Sequence, residues 1–441
     1  MIVTAAEPRV RPRPLLPTFL AILVIALCAP AVGRAQTTTP REPAAPAPAQ
    51  PDPSGGTRAR PIKVRWEDGL FFETDDGTDS FKLGAMIRFD GRFAPNDPDH
   101  VITDTFLLRQ LRLNLSGQIS RYFTFRLIPD FSGNGAPPIA DAYVDIRFSN
   151  AFHVRGGRDK VPLGYELTLQ DANVLFVERG LVTNLLPARD VGAQVLGVFG
   201  GGLVEYQAGI FNGVLDGANV LTLDTDSAKD LVGRLTVRPF LHHARSPLYH
   251  LGVALGGSRG TTRGLLPGFH TSLQQVFFTY DRAAVADGMR THLTPQAFYT
   301  FKSLLVFGEL ARESQVVRKA TVTRDLTNTA WQVDAAYLLT GETAGERVHP
   351  KHPFDPAHGE WGAFQLMARV GVLEVDPETF TAGLADSASA HRAAHVAVGA
   401  AWHMTANFKT LLDYERTVFD HHPSGVRYAE HGIMFRMQMN F

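Results

Sequence analysis

The sequence predicts an all-β chain that closes into a transmembrane antiparallel β-barrel of about 16 strands. Three observations support this fold class. Segments of roughly ten residues alternate apolar and polar side chains along most of the chain. Beyond the N-terminal region, no apolar run reaches the ~18 residues that a membrane-spanning helix needs. The connections between the alternating segments are long and short in turn, which is typical of a barrel whose two rims differ.

The C-terminal segment, residues 428–441, shows the alternation most clearly. One face carries only apolar side chains, namely Ile433, Phe435, Met437, Met439 and Phe441. In a soluble β-sandwich a second sheet would cover this face, and the segment by itself leaves that alternative open. In a closed barrel the last strand pairs with the first, and the apolar face contacts lipid.

The first 35 residues predict a secretory signal peptide. Three arginines precede an apolar run, and the small residues Gly33 and Ala35 follow it. Cleavage there removes Cys28, the one cysteine of the chain, so we expect no disulfide, thiol nucleophile or Cys-ligated metal in the exported protein. Ala29 and Pro30 disfavour lipidation of Cys28. Cleavage also removes four basic residues and one acidic residue, which changes the net charge from −1 to −4.

The next two segments precede the barrel. Residues 36–60 are rich in Pro and Ala and predict a flexible, polyproline-like periplasmic lead. Residues 61–79 are assigned as an N-terminal periplasmic segment, and residues 80–441 as the barrel. The chain is therefore expected in a bacterial outer membrane, in contact with its lipid.

Sixteen alternating segments make up the predicted barrel. They are 81–90, 110–116, 123–131, 141–148, 152–158, 191–199, 203–211, 230–240, 248–258, 291–301, 304–316, 330–340, 361–374, 391–403, 406–419 and 428–441. Long connections follow the odd-numbered segments, at about 93–103, 159–190, 212–229, 259–290, 317–329 and 374–390. Most connections after even-numbered segments are short, and 341–360 is the exception. Long loops on one rim and tight turns on the other are the outer-membrane pattern.

Several short stretches resemble one porin family in their order along the chain. They are G-R-D-K-V-P-L-G-Y-E at 157–166, F-V-E-R-G-L at 176–181, R-D-V-G-A-Q at 189–194, G-I-F-N-G at 209–213, G-E-L at 308–310, A-W-Q-V at 330–333, L-T-G-E at 339–342 and G-A-F at 362–364. Together they resemble the phosphate-selective porin O/P family from about residue 62 to 441. The resemblance implies a homotrimer of sixteen-stranded barrels, a loop after the fifth strand that folds inward, and an anion-conducting lumen graded with Arg and Lys.

The residues of this loop agree with an inward fold. The connection 159–190 is too long for a simple turn, and it carries apolar residues that require burial: Val174, Leu175, Phe176, Leu181, Leu185 and Leu186. Two positions depart from the family. Gln110 follows Arg109 where members commonly place adjacent arginines, and Leu167 stands where phosphate-selective members can carry Lys. The resemblance therefore implies anion passage more directly than phosphate preference.

The face opposite the lipid-facing one predicts the lining of the lumen. Basic residues on that face, with two from the stretch at 157–166, give the expected anion pathway: Arg88, Arg112, Arg126, Arg147, Arg155, Arg158, Lys160, Arg234 and Arg238. Guanidinium groups in a narrow passage favour anions and bind phosphate or carboxylate in a bidentate way. The competing interpretation is that these charges pair with acidic neighbours across strands and only keep the wall hydrated.

The expected function is passive passage of small anions or other small polar solutes, without a cofactor, a nucleic-acid partner or a chemical step. The alternatives are a non-selective or differently selective porin, a structural or adhesive barrel, and a barrel hydrolase. A hydrolase would need a Ser–His or Asp–His constellation on one rim, and Ser116 has no identifiable His partner. His349, His352 and His358 could bind a metal with Asp355, but three prolines and the lack of a regular element favour a solvated turn.

Overall fold

A computed structural model describes residues 60–97, 102–133, 138–217, 227–420 and 429–441. The predicted signal peptide and all but the last residue of the predicted lead lie outside the described residues. No helix among the described residues is long and apolar enough to cross a membrane.

The described chain contains twenty strands. In chain order, they are β1 (Ile62–Trp66), β2 (Leu70–Thr74), β3 (Ser80–Phe93), β4 (Thr105–Ile119), β5 (Phe123–Pro129), β6 (Ile139–Ser149), β7 (Phe152–Lys160), β8 (Arg189–Phe199), β9 (Val204–Phe211), β10 (Asp230–Val237), β11 (Gly252–Gly264), β12 (Phe269–His270), β13 (Val276–Phe278), β14 (Val285–Phe301), β15 (Leu304–Lys319), β16 (Val322–Leu338), β17 (Ala363–Glu374), β18 (Arg392–His403), β19 (Phe408–Phe419) and β20 (Ala429–Asn440). Two short helices accompany them, α1 (Tyr165–Thr168) and α2 (Pro377–Thr381).

Sixteen of these strands, β3 to β11 and β14 to β20, close into an antiparallel barrel. Each strand pairs with its neighbour in the chain, and β20 pairs with β3 so that Met437 lies opposite Phe89. Alternate residues of β20 follow the predicted parity: Ile433 and Met437 are exposed on the outside, while Arg436 and Gln438 are buried inside. The predicted fold class is confirmed, because alternation along each strand places one apolar face outward.

The two rims differ in connection length, with two departures from the sequence prediction. One is a second long connection on the short-turn rim, residues 238–251 between β10 and β11, and the other is at 317–329. The expected long connection at 317–329 is wrong, because β15 and β16 run on through it and meet at a two-residue turn, Ala320-Thr321. These strands extend because their inward residues Val317 and Leu326 are fully buried in an apolar cluster at this rim. On the opposite rim, the predicted exception is present as a long connection between β16 and β17.

The barrel wall is uneven in height. β5 has 7 residues and β9 and β10 have 8 each. By contrast, β14, β15 and β16 have 17, 16 and 17 residues. At about 3.3 Å per residue, these strands are roughly 25 Å long on the short side and roughly 55 Å on the long side.

The connection between β7 and β8, residues 161–188, folds into the barrel and is called the inward loop below. Its apolar side chains are almost completely excluded from solvent, including Leu163, Phe176, Leu185 and Leu186. They pack against apolar residues on the inner face of β15 to β20, such as Phe307, Met367 and Leu411. The apolar residues that the sequence predicted to need burial obtain it from the opposite wall, and the inward-folded loop is confirmed.

A second segment also folds over the lumen, which the sequence analysis did not predict. The β12–β13 hairpin carries Phe269 and Phe278 into the apolar cluster formed by the inward loop. Asn184 of the inward loop joins the two segments. Its Nδ2 donates to the His270 carbonyl at 2.9 Å, and its Oδ1 accepts from the His270 backbone N–H at 2.9 Å. The hairpin therefore holds the inward loop from the long-loop rim.

Candidate functional site

The inward loop divides the lumen into two halves. Its apolar side fills the half along β14 to β20, called the filled half. Its polar side faces β3 to β9, called the open half, and leaves a constriction cavity of about 470 Å³ there. The charged residues that line this cavity are Asp68, Lys82, Arg112, Arg126, Asp141, Arg155, Asp159, Lys160, Asp171, Arg189 and Arg347. Any water-filled passage through this cavity is therefore strongly polar.

Four cations converge on Asp171, a buried residue of the inward loop. Arg179 Nη2 lies 2.7 Å from its Oδ1, Lys160 Nζ 3.0 Å from Oδ1, and Arg189 Nη2 3.0 Å from Oδ2. Arg112 Nη1 also donates to Oδ2. Lys160 and Arg189 lie at the adjoining ends of β7 and β8, Arg112 lies on β4, and Arg179 lies in the inward loop itself. This group of five is called the Asp171 cluster.

The Asp171 cluster carries more positive than negative charge at its centre. Burial by itself raises the pKa of the Asp171 carboxyl, but Arg189, Lys160 and Arg179 outweigh that effect and hold the pKa well below its ordinary value. Asp171 is therefore ionised throughout the neutral range and neutralises only one of the four cations. Asp130 and Asp141 neutralise part of the remainder, at 2.7 Å from Arg112 Nε and 2.7 Å from Arg189 Nε.

Two further arginines of the cavity differ in how firmly they are paired. Arg155 is held by Asp145 through Nε at 2.6 Å and Nη2 at 2.9 Å, and its guanidinium stacks 4.0 Å from the Tyr143 ring centre. Arg126 is 3.8 Å from Asp141 and keeps about a third of its side chain exposed. A bidentate, stacked guanidinium is fixed, whereas Arg126 is free to meet a passing ion.

A second, smaller cavity of about 200 Å³ lies against the other side of the inward loop, next to the β12–β13 hairpin, and is called the vestibule. Arg109, Arg179 and Arg189 line it together with Glu178. Burial raises the pKa of Glu178, but Arg109 and Arg92 reverse the effect and leave the pKa below its ordinary value. Arg189 lines both cavities, so it marks the place where they adjoin.

Positive charge exceeds negative charge along both cavities. Among the residues that the structure describes, their linings together contain nine basic and five acidic side chains. Asp130 and Asp145 stand directly behind two of the arginines, and counting them still leaves an excess of two positive charges. The cross-strand pairing that the sequence analysis considered is therefore present, but it does not neutralise the passage. An excess of this sign lowers the free energy of an anion in a narrow polar passage.

The structure brings four of the nine predicted pathway residues together at the constriction: Arg112, Arg126, Arg155 and Lys160. The other five lie elsewhere. Arg88 is buried beside Gln438, and Arg147 is exposed near the turn that ends β6. Arg234 on β10 binds Gln296 of β14, and Arg238, directly after β10, binds Glu205 of β9; neither arginine lines the cavity. Arg158, on β7, is buried and does not line the cavity.

Sequence reasoning missed several residues of this site: Arg109, Asp171, Glu178, Arg179 and Arg189. Three of them belong to the inward loop, where strand parity gives no inward or outward assignment. A signal was nevertheless present, because Glu178, Arg179 and Arg189 lie in the stretches that carry the family resemblance. The sequence showed that these three residues are charged, but it did not show where in the barrel they lie.

Two departures from the family, Gln110 and Leu167, also have defined places. Gln110 is buried on β4, two residues before Arg112. Leu167 is buried in α1 and forms part of the vestibule lining. The vestibule therefore has an apolar side chain at this position.

The structure also contains a serine–histidine–aspartate chain. His292 Nδ1 lies 2.6 Å from Ser258 Oγ, and its Nε2 lies 3.0 Å from Asp216 Oδ2. Asp216 also faces Arg290 at 3.5 Å, and this chain of residues lines neither the constriction cavity nor the vestibule. The arrangement is a buried polar network without a substrate space in either cavity. Ser116 lines the constriction cavity, but none of the histidines in the described ranges lines it.

The considered histidine cluster is split in the structure. His358 Nδ1 lies 2.6 Å from Asp355, and His352 lies 3.2 Å from Glu360, all at the protein surface. Within the described part of the chain, no group of three or more His, Cys, Asp or Glu side chains is arranged to hold a metal ion.

Comparison with known proteins gives one family match. A family model described as phosphate-selective porin O and P matches residues 81–441. No curated protein sequence matches the chain.

Solved structures match the fold at low sequence identity. The outer membrane channel DcaP of Acinetobacter baumannii is 12% identical, with a TM-score of 0.55 over 84% of this chain and 99% of that one. The trimer form of OmpT, an outer membrane protein of Vibrio cholerae folded in vitro, is 10% identical, with a TM-score of 0.53 over 82% of this chain and 100% of that one. At these identities the similarity concerns the barrel fold.

Proposed function

The chain belongs to the phosphate-selective porin O and P family, and from this premise we propose that it is a passive channel for small anions whose path runs through the open half of the barrel. Family and fold make it an outer-membrane channel. The anion preference is the proposal, and the Asp171 cluster is the observation that carries it. Four cations surround one carboxylate at the place where the two cavities adjoin.

The physical argument is one of charge in a narrow passage. An ion that passes the inward loop loses part of its water, so nearby fixed charges act on it more strongly than they would in bulk solvent. An anion can replace the lost water with the N–H groups of Arg189, Arg179 or Arg126. A cation meets an excess of like charge at the same place. The expected result is a higher permeability for anions, moderated by the carboxylates that pair with most of these arginines.

Small anions as a class suit the site better than phosphate alone. The apolar side chain of Leu167 replaces a cation at the vestibule, and the amide of Gln110 replaces a guanidinium on β4. The phosphate-specific features that the family resemblance would supply are therefore incomplete. We propose that chloride, carboxylates and phosphate pass through the same cavity, with at most a modest preference among them.

We infer a homotrimer from the uneven wall. A transmembrane strand needs about 9–11 residues to cross the hydrocarbon core, and β5, β9 and β10 have only 7 or 8. A neighbouring copy that covers the short wall removes this mismatch with the lipid. The structural relative OmpT, in its trimer form, has the same barrel fold. Chemical cross-linking in detergent, followed by electrophoresis, tests this assignment. Exclusively monomeric protein would contradict it.

Export to a bacterial outer membrane is part of the same proposal. A signal peptide over residues 1–35 would deliver the chain to the periplasm, where residues 36–60 would form a lead ahead of the barrel. Amino-terminal sequencing of the protein from isolated outer membranes tests the cleavage site. A mature chain that began well before residue 36 would contradict it.

The anion preference is tested by reversal potentials in planar bilayers under a potassium chloride gradient. We expect the wild type to prefer chloride, and Arg126→Ala to reduce the chloride-to-potassium permeability ratio by about twofold, because Arg126 is the most weakly paired arginine of the cavity. Arg147→Ala is the matched control, since Arg147 lies on a neighbouring strand outside the cavity. Cation preference at neutral pH in the wild type would overturn the proposal, and equal effects of the two variants would remove Arg126 from the path.

A further inference from the structure

The β1–β2 hairpin extends the barrel wall beyond the end of β20. β20 pairs with β3 from Met86 to Phe93, and β2 pairs with the same edge of β3 from Ser80 to Leu83. The last residue of the chain, Phe441, exchanges two backbone hydrogen bonds with Ala85, at 2.9 and 3.0 Å. β2 therefore takes over the edge of β3 where β20 stops, and β1 covers β2 in turn.

The tip of this hairpin is fixed to the barrel. Asp68 Oδ2 accepts from Arg347 Nη1 at 2.7 Å, and Asp68 Oδ1 accepts from Asn407 Nδ2 at 3.3 Å. Gly69 has a φ of 129°, and a Cβ there would lie 2.6 Å from the Leu83 carbonyl oxygen. The hairpin is therefore a fixed part of the rim, and its turn requires glycine at position 69.

The two faces of the hairpin have opposite character. One face carries Ile62, Val64 and Trp66, whose side chains are 62%, 58% and 64% exposed, together with Leu70 and Phe72. On the other face, Lys63 pairs with Asp75 at 3.2 Å, and Arg65 pairs with Glu73 at 2.7 Å. A two-stranded hairpin with one charged face and one strongly exposed apolar face needs a partner for the apolar face.

The apolar face is continuous with the lipid-facing surface of the barrel. The Trp66 ring lies 5.5 Å from the ring of Phe441, which shares the outward parity of β20. Phe72 lies 6.0 Å from Phe81 on the outside of β3, and Phe81 lies 6.5 Å from Phe125 on β5. Aromatic rings therefore run without a break from the barrel exterior onto the hairpin. Belts of aromatic residues at this level are typical of the boundary between lipid and water.

We propose that the apolar face of the β1–β2 hairpin binds the interfacial region of the lipid leaflet at the short-turn rim. In this arrangement Trp66 lies at the level of the terminal barrel residue, and Val64 and Ile62 follow it toward the headgroups. Lipid is favoured over a protein partner because the face joins the lipid-facing surface directly and carries no charge of its own. The charged face then points away from the acyl chains, as for other amphipathic elements at a membrane surface.

A single-tryptophan protein tests this assignment. Replacing Trp331, Trp361 and Trp402 with Phe leaves Trp66 as the one tryptophan of the chain. We expect vesicles of phosphatidylcholine brominated in the upper acyl chain to quench its emission about twofold or more, and aqueous iodide to quench it weakly. Strong quenching by iodide without quenching by bromolipid would place the face in water and overturn the proposal. Protection from both quenchers would place it against protein, either a second copy or another segment of this chain, and would also overturn it.

Two charge substitutions on adjacent residues give a second, independent test. Val64→Glu puts a carboxylate on the apolar face, whereas Lys63→Glu puts the same group on the charged face of the same strand. We expect Val64→Glu to reduce bromolipid quenching of Trp66 by about half or more and Lys63→Glu to leave it unchanged. The heat-dependent electrophoretic shift of a folded barrel confirms that both variants fold. Equal quenching in the two folded variants would contradict lipid contact.

Discussion

The open and filled halves of the barrel are built from the same kind of alternating strand, yet their inner faces serve opposite purposes. In the open half, inward residues such as Arg126 and Arg155 line a polar cavity. In the filled half, inward residues such as Phe307 and Met367 pack against the inward loop and are nearly inaccessible to solvent. The difference shows that strand alternation determines whether a side chain points inward or outward. The position of the inward loop then determines whether an inward side chain lines a cavity or belongs to a packed core.

The filled half also contains the polar contacts that fix the loop in place. Arg369 Nη2 donates to Glu166 of α1 at 2.5 Å, and its Nε donates to Asp334 at 2.6 Å. The Tyr165 backbone N–H donates to Glu309 at 2.7 Å, and the Val177 backbone N–H donates to Asp413 at 2.6 Å. Here a basic residue of the wall holds the loop and is completely buried, whereas Arg112 and Lys160 of the open half bind the loop through Asp171 and also line the cavity.

The largest effect is expected from removing Arg369, because the inward loop would then no longer distinguish the filled half from the open half. Arg369→Ala leaves Glu166 and Asp334 buried without their cation, a change that costs about 3–5 kcal/mol in comparable buried pairs. We expect the loop to detach, the unfolding midpoint in denaturant to fall, and the single-channel conductance to rise. Arg324→Ala is the matched control, since Arg324 lies on the exposed surface of β16 beside Glu378. An Arg369→Ala protein with unchanged conductance and stability would show that other contacts hold the loop.

Shortening one apolar side chain of the loop should weaken the filled half without changing its charge. Leu185 is fully buried, and Leu185→Ala is expected to destabilise the protein by about 2–5 kcal/mol through lost burial and a residual cavity. Leu265→Ala at a position that is 77% exposed should change stability by less than about 0.5 kcal/mol. Denaturant unfolding in lipid vesicles measures both. Similar effects of the two substitutions would contradict the packing described for Leu185.

Neutralising Asp171, the central carboxylate of the Asp171 cluster, should increase the anion preference of the open half. Asp171→Asn removes the negative charge that four cations share, so we expect the chloride-to-potassium permeability ratio to rise by about twofold. Reversal potentials in a salt gradient measure this change. Asp287→Asn, at an exposed position on β14 outside the cavity, is the control. A lower ratio in Asp171→Asn would mean that Asp171 chiefly positions the cations, and that it does not oppose anion passage.

The smallest effect on stability and anion preference is expected from changing the pH. The pKa values of Asp171 and Glu178 are held below their ordinary values by the surrounding arginines, although burial alone would raise them. A carboxyl whose pKa is lower in the folded state stabilises the protein above its unfolded pKa of about 4, and this contribution is lost as the pH falls through the folded value. Between about pH 8 and pH 5 we therefore expect these two groups to change neither stability nor anion preference. Unfolding and reversal potentials measured across that range for the wild type, Asp171→Asn and Glu178→Gln test this. A change with pH that is present in the wild type and missing from one of these variants would show that its carboxyl titrates in the range.

The sequence predicted the barrel well because alternation is a local property. The sixteen strands, the outward face of β20 and the inward position of Arg112 all follow from a period of two that needs no knowledge of distant residues. The predicted long connection at 317–329 was wrong because Val317 and Leu326 are buried in an apolar cluster that includes residues far away in the chain, and this burial keeps the two strands regular. The β12–β13 hairpin was missed for the same reason.

The candidate site was only partly predictable. Arg147 and Arg155 share the inward parity and lie on neighbouring strands, yet only Arg155 lines the cavity. Arg179 lies in the inward loop, where there is no strand parity, and Arg189 is the first residue of β8, ahead of the predicted segment 191–199. Both belong to the site through contacts with Asp171 that depend on the shape of the loop.

By itself the sequence determined which side chains face lipid and which face inward, because neighbouring residues of a strand must point in opposite directions. The tertiary structure decided which inward charges line the passage. That outcome depends on the position of the inward loop in the lumen. The loop is held by contacts between residues far apart in the chain, such as the hydrogen bond from the Val177 backbone N–H to the Asp413 carboxylate. Such contacts leave no periodic signal in the sequence, so only the folded barrel divides its lumen into an open half and a filled half.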